Sequence, residues 1–236
     1  MENWREIWGR HTADLSGKED FESLVLELKR ANGFDVTGDN SVGFDAWISH
    51  IRAMLRHMDG TRSLYEVGCG SGANLMMARY LGVSKLGGCD YSDSLARTAK
   101  EVTGSPDIVC CDAAVFPESP LYDAVILDSV SQYFPSLLYA ESVLKRMLRK
   151  AGKYLAVLDV FDAALKAEWV EHRRAVIPSY DQRYGRLDQD KLFIHKDWLR
   201  SFSNENSLEL TIYETDIEGY WNGNYTFNAI FRKRGL

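Results

Sequence analysis

The stretch that decides the fold is LYEVGCGSG, residues 64–72, in which an apolar run is followed at once by glycines at every second position. The apolar run is typical of a buried strand, and the residues after Gly72 have a helical pattern. Glycines let the chain turn tightly and let a ligand approach the backbone without a Cβ in the way. The helix N-terminus then offers unpaired N–H groups to an anionic or polar ligand. The stretch therefore predicts a strand, a ligand-binding glycine loop and a helix.

Short apolar runs alternate with helical segments on either side of this stretch. The predicted strands are 63–67, 85–90, 107–112, 123–128 and 154–160, and the predicted helices between them are 73–81, 93–102 and 136–148, with Gly152 as the stop signal of the last. Such alternation predicts a parallel sheet with helices on both faces. Ligands of such sheets bind at the carboxyl ends of the strands, where the strand order reverses.

The two ends of the chain have other patterns. Residues 1–60 contain amphipathic helical segments separated by a polar loop at 35–43, which predicts an N-terminal helical cap or lid before a domain at 61–236. After the last parallel strand we expect a helix at 161–175, a loop-rich stretch at 176–195 and a helix at 196–204. Alternating residues at 208–214 and 225–232 predict two antiparallel strands. Residues 161–195 are expected to cover the substrate.

Composition excludes several classes of protein. The chain has 236 residues, 45% of them hydrophobic, and no apolar run approaches the roughly 20 residues of a membrane span. Residues 1–10 carry charges where a signal peptide would be apolar. The net charge of −6 argues against a nucleic-acid partner. The four cysteines lack zinc-site spacing, so we expect no metal and mostly buried, reduced thiols. A cytoplasmic small-molecule enzyme or binder, monomeric or homodimeric, is the resulting expectation.

Acidic residues end the second and third predicted strands. Asp90 is placed to accept hydrogen bonds from both hydroxyls of a ribose, and Asp112 to meet an adenine amino group. Gly68, Gly70 and Ala73 also satisfy a dinucleotide fingerprint. Three features argue against a nicotinamide cofactor, which stays an alternative. They are Glu66 two residues before the first glycine, the G-x-G-x-G pattern and the second acid at Asp112.

Together these motifs resemble those of class I S-adenosylmethionine-dependent methyltransferases. The matching pieces are Glu66–Gly72, Asp90, the CDAA stretch at 111–114 and the YDAVILD stretch at 122–128. The resemblance implies an α/β, Rossmann-like fold with a seven-stranded, mostly parallel sheet whose last strand is antiparallel. It also implies S-adenosylmethionine as the cofactor. The implied cofactor-binding residues are Glu66, Gly68, Cys69, Gly70, Gly72, Asp90, Tyr91, Asp112, Ala113, Asp128, Ser129 and Gln132.

A second stretch, LDSVSQYFPS at 127–136, is similar to the fourth motif of the N-methyltransferase domains of nonribosomal peptide synthetases. Asp128 stands where those domains commonly have Asn, so its partner could be a cationic amine substrate or the ammonium group of the cofactor. Tyr133 follows the strand and could orient the acceptor or line the sulfonium site. If the acceptor is a hydroxyl, a base is needed, and His50 and His172 are the first candidates, although scattered histidines are usually solvated or capping residues.

The sequence therefore predicts a methyltransferase that acts on a small natural-product or amino-acid-derived metabolite in biosynthesis, with N-methylation slightly favoured over O-methylation. An enzyme that cyclises S-adenosylmethionine or transfers its aminobutyrate arm, and releases methylthioadenosine, is the first alternative. A non-catalytic binding module with the same fold is the second.

Overall fold

The computed structural model describes residues 4–37, 41–185, 188 and 190–235. Its helices are α1 Trp4–Gly9, α2 Phe21–Ala31, α3 Phe44–His57, α4 Ala73–Tyr80, α5 Asp93–Thr103, α6 Leu137–Lys150, α7 Lys166–Val176, α8 Tyr180–Arg183 and α9 Lys196–Glu205. The strands are β1 Ser63–Val67, β2 Lys85–Asp90, β3 Ile108–Cys110, β4 Tyr122–Asp128, β5 Ala151–Phe161, β6 Leu208–Glu214 and β7 Thr226–Lys233. Short 3-10 helices occur at Ser131–Tyr133, Ala163–Leu165 and Trp221–Tyr225.

The strands form one seven-stranded sheet in the order β3-β2-β1-β4-β5-β7-β6. Strands β1 to β5 are parallel to their neighbours in this group, whereas β7 runs antiparallel to both β5 and β6. The predicted fold class is therefore confirmed, with β7 as the antiparallel strand. The strand order reverses between β1 and β4, which is where such sheets form a ligand crevice beyond their carboxyl ends.

Helices cover both faces of the sheet. On one face, α3 contributes Ile48, Ile51 and Met54 to a buried cluster that also contains Leu64 of β1 and Ala124 of β4. On the other face, residues of α6 and α9 pack against alternate side chains of the same strands. Because each parallel strand is buried on both sides, its sequence is apolar without strict alternation. The N-terminal helices thus share their core with the sheet, and their role as a lid stays a prediction.

Several predicted boundaries are wrong. The helix expected at 161–175 begins only at Lys166, because β5 continues to Phe161. Gly152 comes after the end of α6 as expected, but it already lies in β5, which begins at Ala151 and not at 154; an added Cβ there would come 3.1 Å from the Tyr122 carbonyl oxygen. The strand expected at 225–232 is Thr226–Lys233, and the 3-10 helix Trp221–Tyr225 comes directly before it. Residues 38–40 of the predicted loop lie outside the described residues.

The cysteines are not mostly buried, as the sequence led us to expect: Cys69 and Cys89 are buried, but Cys110 is exposed and Cys111 partly so. In the described ranges, no helix has the length and apolar character needed to cross a bilayer.

Candidate functional site

A cavity of about 480 Å³ lies at the carboxyl ends of β1, β2 and β4. Most of the residues predicted to bind a ligand line it: Glu66, Gly68, Gly70, Asp90, Tyr91, Asp112, Ala113, Asp128, Ser129 and Tyr133. Cys69, Gly72, Gln132, His50 and His172 are not among the lining residues. The structure therefore brings together the side chains that end three different strands, as the predicted sheet requires.

The glycine loop turns tightly below the cavity. The backbone N–H groups of Gly68 and Cys69 both donate to the carbonyl oxygen of Cys89, at 2.7 and 2.9 Å. Gly68 has a φ of +73°, and a Cβ there would lie 2.5 Å from a methyl carbon of Val130. Gly72, with a φ of +88°, instead faces the backbone of Ala99 in α5. Gly72 thus permits close packing of helices, while Gly68 shapes the cavity.

Asp90 is held rigidly at the edge of the cavity. It is buried, and its two carboxylate oxygens accept hydrogen bonds from the backbone N–H groups of Gly70 at 2.9 Å and Ser92 at 2.8 Å. Burial raises the pKa of this carboxyl group, and the two hydrogen bonds oppose that shift. Because each carboxylate oxygen has a second lone pair, Asp90 can still accept hydrogen bonds from a ligand.

Asp112 is fixed in a similar way just after the neighbouring strand β3, which ends at Cys110 and not at 112 as predicted. Its Oδ1 accepts a hydrogen bond from the backbone N–H of Ala114 at 2.9 Å and a short one from the hydroxyl group of Tyr139. Both Asp112 and Tyr139 line the cavity. Two preorganised carboxylates, Asp90 at the end of β2 and Asp112 two residues after β3, therefore form one end of the site.

At the other end, one amide links two buried carboxyl groups. Nδ2 of Asn74 donates to Oε1 of Glu66 at 2.7 Å and to Oδ2 of Asp128 at 2.9 Å. All three residues are less than a tenth exposed and line the cavity. The second carboxyl oxygen of Glu66 has no hydrogen-bond partner in the described part of the chain. An unpaired buried oxygen of this kind is costly unless a proton or a ligand satisfies it.

The two carboxyl groups have opposite pKa shifts. Burial, together with the charge of Asp128, raises the pKa of Glu66 well above its ordinary value. Burial also acts on Asp128, but the neighbouring His50, Lys29 and Ser129 outweigh it, so the pKa of Asp128 is lowered. At neutral pH Asp128 is therefore anionic, whereas Glu66 tends to keep its proton. Other sites with two neighbouring acids also use their surroundings to move the two pKa values apart.

The histidines do not have the positions that the sequence suggested. His50 is neither a solvated nor a capping residue; it is 3% exposed, and its Nε2 lies 3.4 Å from Oδ2 of Asp128. It touches the carboxylate from behind the cavity wall and can orient it. His172 on α7 stacks on Trp221, with ring centroids 5.1 Å apart.

Tyr133 covers the cavity together with Trp8 from α1. The two rings meet edge to face with centroids 5.5 Å apart. Burial raises the pKa of Tyr133, so the phenol stays protonated at neutral pH. Gln132 makes hydrogen bonds within the protein: its Nε2 donates to the carbonyl oxygen of Ser129 at 2.8 Å, and its backbone carbonyl oxygen accepts from the N–H of Leu192 at 2.9 Å.

The ends of β4 and β5 carry backbone strain. Ser129 and Asp159 have φ values of +57° and +52°, which side chains rarely adopt. The Ser129 hydroxyl donates to Oδ2 of Asp159 at 2.8 Å, and the hydroxyl of Tyr220 donates to the same oxygen at 2.8 Å. Such strained positions cluster at functional sites. Asp159 was not predicted as a site residue because it lies within a predicted strand.

The lining residues that were not predicted include Trp8, Lys29 and Asn74. Lys29 had a visible signal, since it lies on the helical stripe of Phe21, Val25 and Leu28, where a charged residue is unusual. Asn74 is a buried polar residue in the first turn of the helix that the glycine loop opens. Its position in the chain alone does not indicate which groups it joins.

Comparisons with known proteins agree with this geometry. Residues 65–156 match the family model described as "Methyltransferase domain". A search of curated proteins found no match. The structure is similar to the N-methyltransferase NodS from Bradyrhizobium japonicum WM9, at 14% identity and a TM-score of 0.60, over 99% of this chain and 100% of that one. It is also similar to magnesium protoporphyrin IX methyltransferase from Synechocystis PCC 6803, at 16% identity and a TM-score of 0.53, over 98% and 89% of the two chains.

A third similar structure is DesVI from Streptomyces venezuelae, with 8% identity and a TM-score of 0.57, over 78% of this chain and 91% of that one. These matches confirm the resemblance predicted from the motifs. Residues 65–156 therefore match a methyltransferase domain, and the chain has the fold of class I methyltransferases.

Proposed function

We propose that this methyltransferase acts on a small molecule and that its acceptor atom is an amine nitrogen. The observation that carries the proposal is the chemistry of the cavity wall: Asp128, whose lowered pKa keeps it anionic, and Tyr133, whose raised pKa keeps it protonated, both line the cavity. These two groups can accept and donate hydrogen bonds, but neither is a strong base near neutral pH. An amine needs orientation more than it needs a base.

The residues present fit S-adenosylmethionine. The cavity volume is within the roughly 300–1,000 Å³ of typical ligand sites, and a Cβ at Gly68 would collide with Val130. Asp90 would hold the ribose hydroxyls, and Asp112 with Ala113 the adenine. Glu66, whose Oε2 has no described partner, would face the amino-acid arm together with Gly68. When bound, the cofactor supplies an electrophilic methyl group on a sulfonium sulfur.

The remaining groups would position the acceptor. The Asp128 carboxylate would accept a hydrogen bond from the acceptor's N–H and direct the nitrogen lone pair toward the methyl group, in the alignment that in-line displacement requires. His50 would keep that carboxylate oriented from behind. Trp8 would help to exclude water by covering Tyr133. A hydroxyl acceptor would need a base on the cavity wall, and neither His50 nor His172 is among the lining residues, which supports nitrogen over oxygen.

One similar structure is itself an N-methyltransferase, NodS, which also supports the preference. The net charge of −6 supports a small-molecule acceptor rather than nucleic acid. We further propose a cytoplasmic enzyme that is monomeric or homodimeric, with a biosynthetic metabolite as its acceptor.

The test is a turnover assay with S-adenosylmethionine and a panel of small primary and secondary amines and their hydroxyl analogues, with nucleoside products identified by mass spectrometry. We expect S-adenosylhomocysteine to form only when an amine is present, with a mass gain of one methyl group on that amine. Release of methylthioadenosine without any acceptor would instead support the cyclising alternative. Methylation of the hydroxyl analogues alone would contradict the nitrogen preference.

A further inference from the structure

Lys29 is a buried lysine that faces the cavity; burial lowers the pKa of its side chain, and the nearby carboxyl groups oppose that shift. It lies on α2, is 1% exposed and is one of the lining residues. Its Nζ is 3.7 Å from the centroid of the Trp47 ring and 4.8 Å from that of Phe34. In the described ranges, no hydrogen bond or ion pair reaches this ammonium group. Contacts with ring faces only partly replace the hydration that burial removes.

A second buried lysine in this fold, Lys150, has hydrogen-bond acceptors for its ammonium group. Lys150 is also 1% exposed, and its Nζ donates to the carbonyl oxygens of Pro117 at 2.8 Å and Pro120 at 3.1 Å. Lys29 has no comparable acceptors. Its remaining donors therefore need an acceptor that is not part of the described protein.

The protein carboxylates near Lys29 are engaged with other partners. Asp128 accepts from Asn74 and lies 3.4 Å from Nε2 of His50. Glu66 accepts from Asn74, and burial raises its pKa, which weakens it as a counter-charge. Asp159 accepts from Ser129 and Tyr220. An anionic group entering the cavity would be the first to pair with Lys29 directly.

The helix that carries Lys29 is attached to the glycine loop itself. The backbone N–H of Ser71 donates to Oδ1 of Asn32 at 2.8 Å, and the Ser71 hydroxyl donates to the carbonyl oxygen of Leu28 at 2.8 Å. These bonds fix the C-terminal turn of α2 beside the loop that is expected to hold the amino-acid arm of the cofactor. The position of Lys29 is therefore tied to that end of the cavity.

We propose that Lys29 binds the carboxylate of the cofactor's amino-acid arm and so makes α2 part of the cofactor site. Lys29 would then meet the carboxylate of the α-amino acid, while Glu66, whose Oε2 has no partner in the described part of the chain, would face its ammonium group. This proposal rests on the proposed function, since it requires S-adenosylmethionine in this cavity.

The test is a cycle of two ligands and two proteins, measured by calorimetry. The ligands are S-adenosylhomocysteine and its decarboxylated form, in which hydrogen replaces the carboxylate; the proteins are the wild type and Lys29→Met. We expect the wild type to prefer S-adenosylhomocysteine by about 10- to 100-fold, the effect of a charge-assisted hydrogen bond. Lys29→Met should remove most of that preference and change binding of the decarboxylated ligand by no more than about twofold.

Two control variants complete the design. Lys29→Arg keeps the charge and should keep most of the preference, whereas Lys100→Met removes an exposed positive charge from α5 and should leave it unchanged. A preference that survives in Lys29→Met overturns the proposal. If Lys29→Met does not fold, the wild-type protein still tests the proposal. Equal wild-type affinity for S-adenosylhomocysteine and its decarboxylated form would also overturn the proposal. Failure of the wild type to bind either S-adenosylmethionine or S-adenosylhomocysteine would instead refute the cofactor placement.

Discussion

Replacing Gly68 by alanine tests the geometry of the glycine loop directly. At a φ of +73° an alanine residue costs roughly 1–2 kcal/mol in backbone energy. The added Cβ would also lie 2.5 Å from Cγ2 and 3.0 Å from Cγ1 of Val130, and forcing such atoms apart costs about 1–3 kcal/mol more. We therefore expect Gly68→Ala to lower the free energy of unfolding by about 2–5 kcal/mol.

Gly82→Ala is the matched control. Gly82 has a φ of +101°, at least as unfavourable for a side chain, but an added Cβ would meet nothing within 4 Å. Urea unfolding of both variants separates the backbone cost, which they share, from the collision, which only Gly68→Ala has. The double variant Gly68→Ala/Val130→Ala should cost less than the sum of its two single changes, because the valine methyl groups are gone.

The binding of S-adenosylhomocysteine provides a second readout. Gly68→Ala should weaken it, because the loop must shift at the cavity, whereas Gly82→Ala should not. If Gly68→Ala costs no more stability than Gly82→Ala and binds the ligand normally, the close approach of Gly68 to Val130 is not real and the argument fails.

Three further outcomes follow from the site. Asp90→Ala should weaken S-adenosylhomocysteine binding by about 10- to 100-fold through loss of hydrogen bonds to a charged acceptor; unchanged affinity in calorimetry would contradict the ribose placement. Tyr133→Phe should lower kcat with little effect on cofactor affinity, and equal loss in both would make it a cofactor contact. For Glu66, burial raises the folded-state pKa, so wild-type stability falls as pH rises above the ordinary value of 4.5. The stability of Glu66→Gln relative to wild type should therefore increase with pH in urea unfolding, and a pH-independent difference would refute the shift.

The sheet was largely predictable because its strands are short apolar runs bounded by turn residues. The boundaries of β1, β2 and β6 match the prediction at both ends. The start of β5 was missed because Gly152 resembles a helix stop, although it is placed in the strand by close approach to Tyr122 on β4. The helix expected at 161–175 was misplaced for a related reason: Phe161 is held in β5 by pairing with Thr226 on β7. Both errors concern contacts between distant parts of the chain.

Within the site, the residues at strand ends were predictable and the residues that join them were not. Asp90, Asp112 and Asp128 follow directly from the rule that ligands bind at the carboxyl ends of parallel strands. Asn74 is 54 residues from Asp128 along the chain, and only the packing of α4 against the sheet makes it a bridge to that carboxylate. Lys29 likewise reaches the cavity only because α2 docks on the glycine loop.

The sequence by itself determined the strand–loop–helix unit and the acids that follow the strands, because these depend on local chain properties: hydrophobic periodicity and the freedom of glycine to adopt positive φ. Only the tertiary structure decided which of those acids stays charged. The pKa values of Glu66 and Asp128 move in opposite directions because His50 and Lys29 approach Asp128 from the N-terminal helices while burial acts on both groups. Desolvation and charge pairing are set by every element packed around a group, and a linear sequence does not specify that packing.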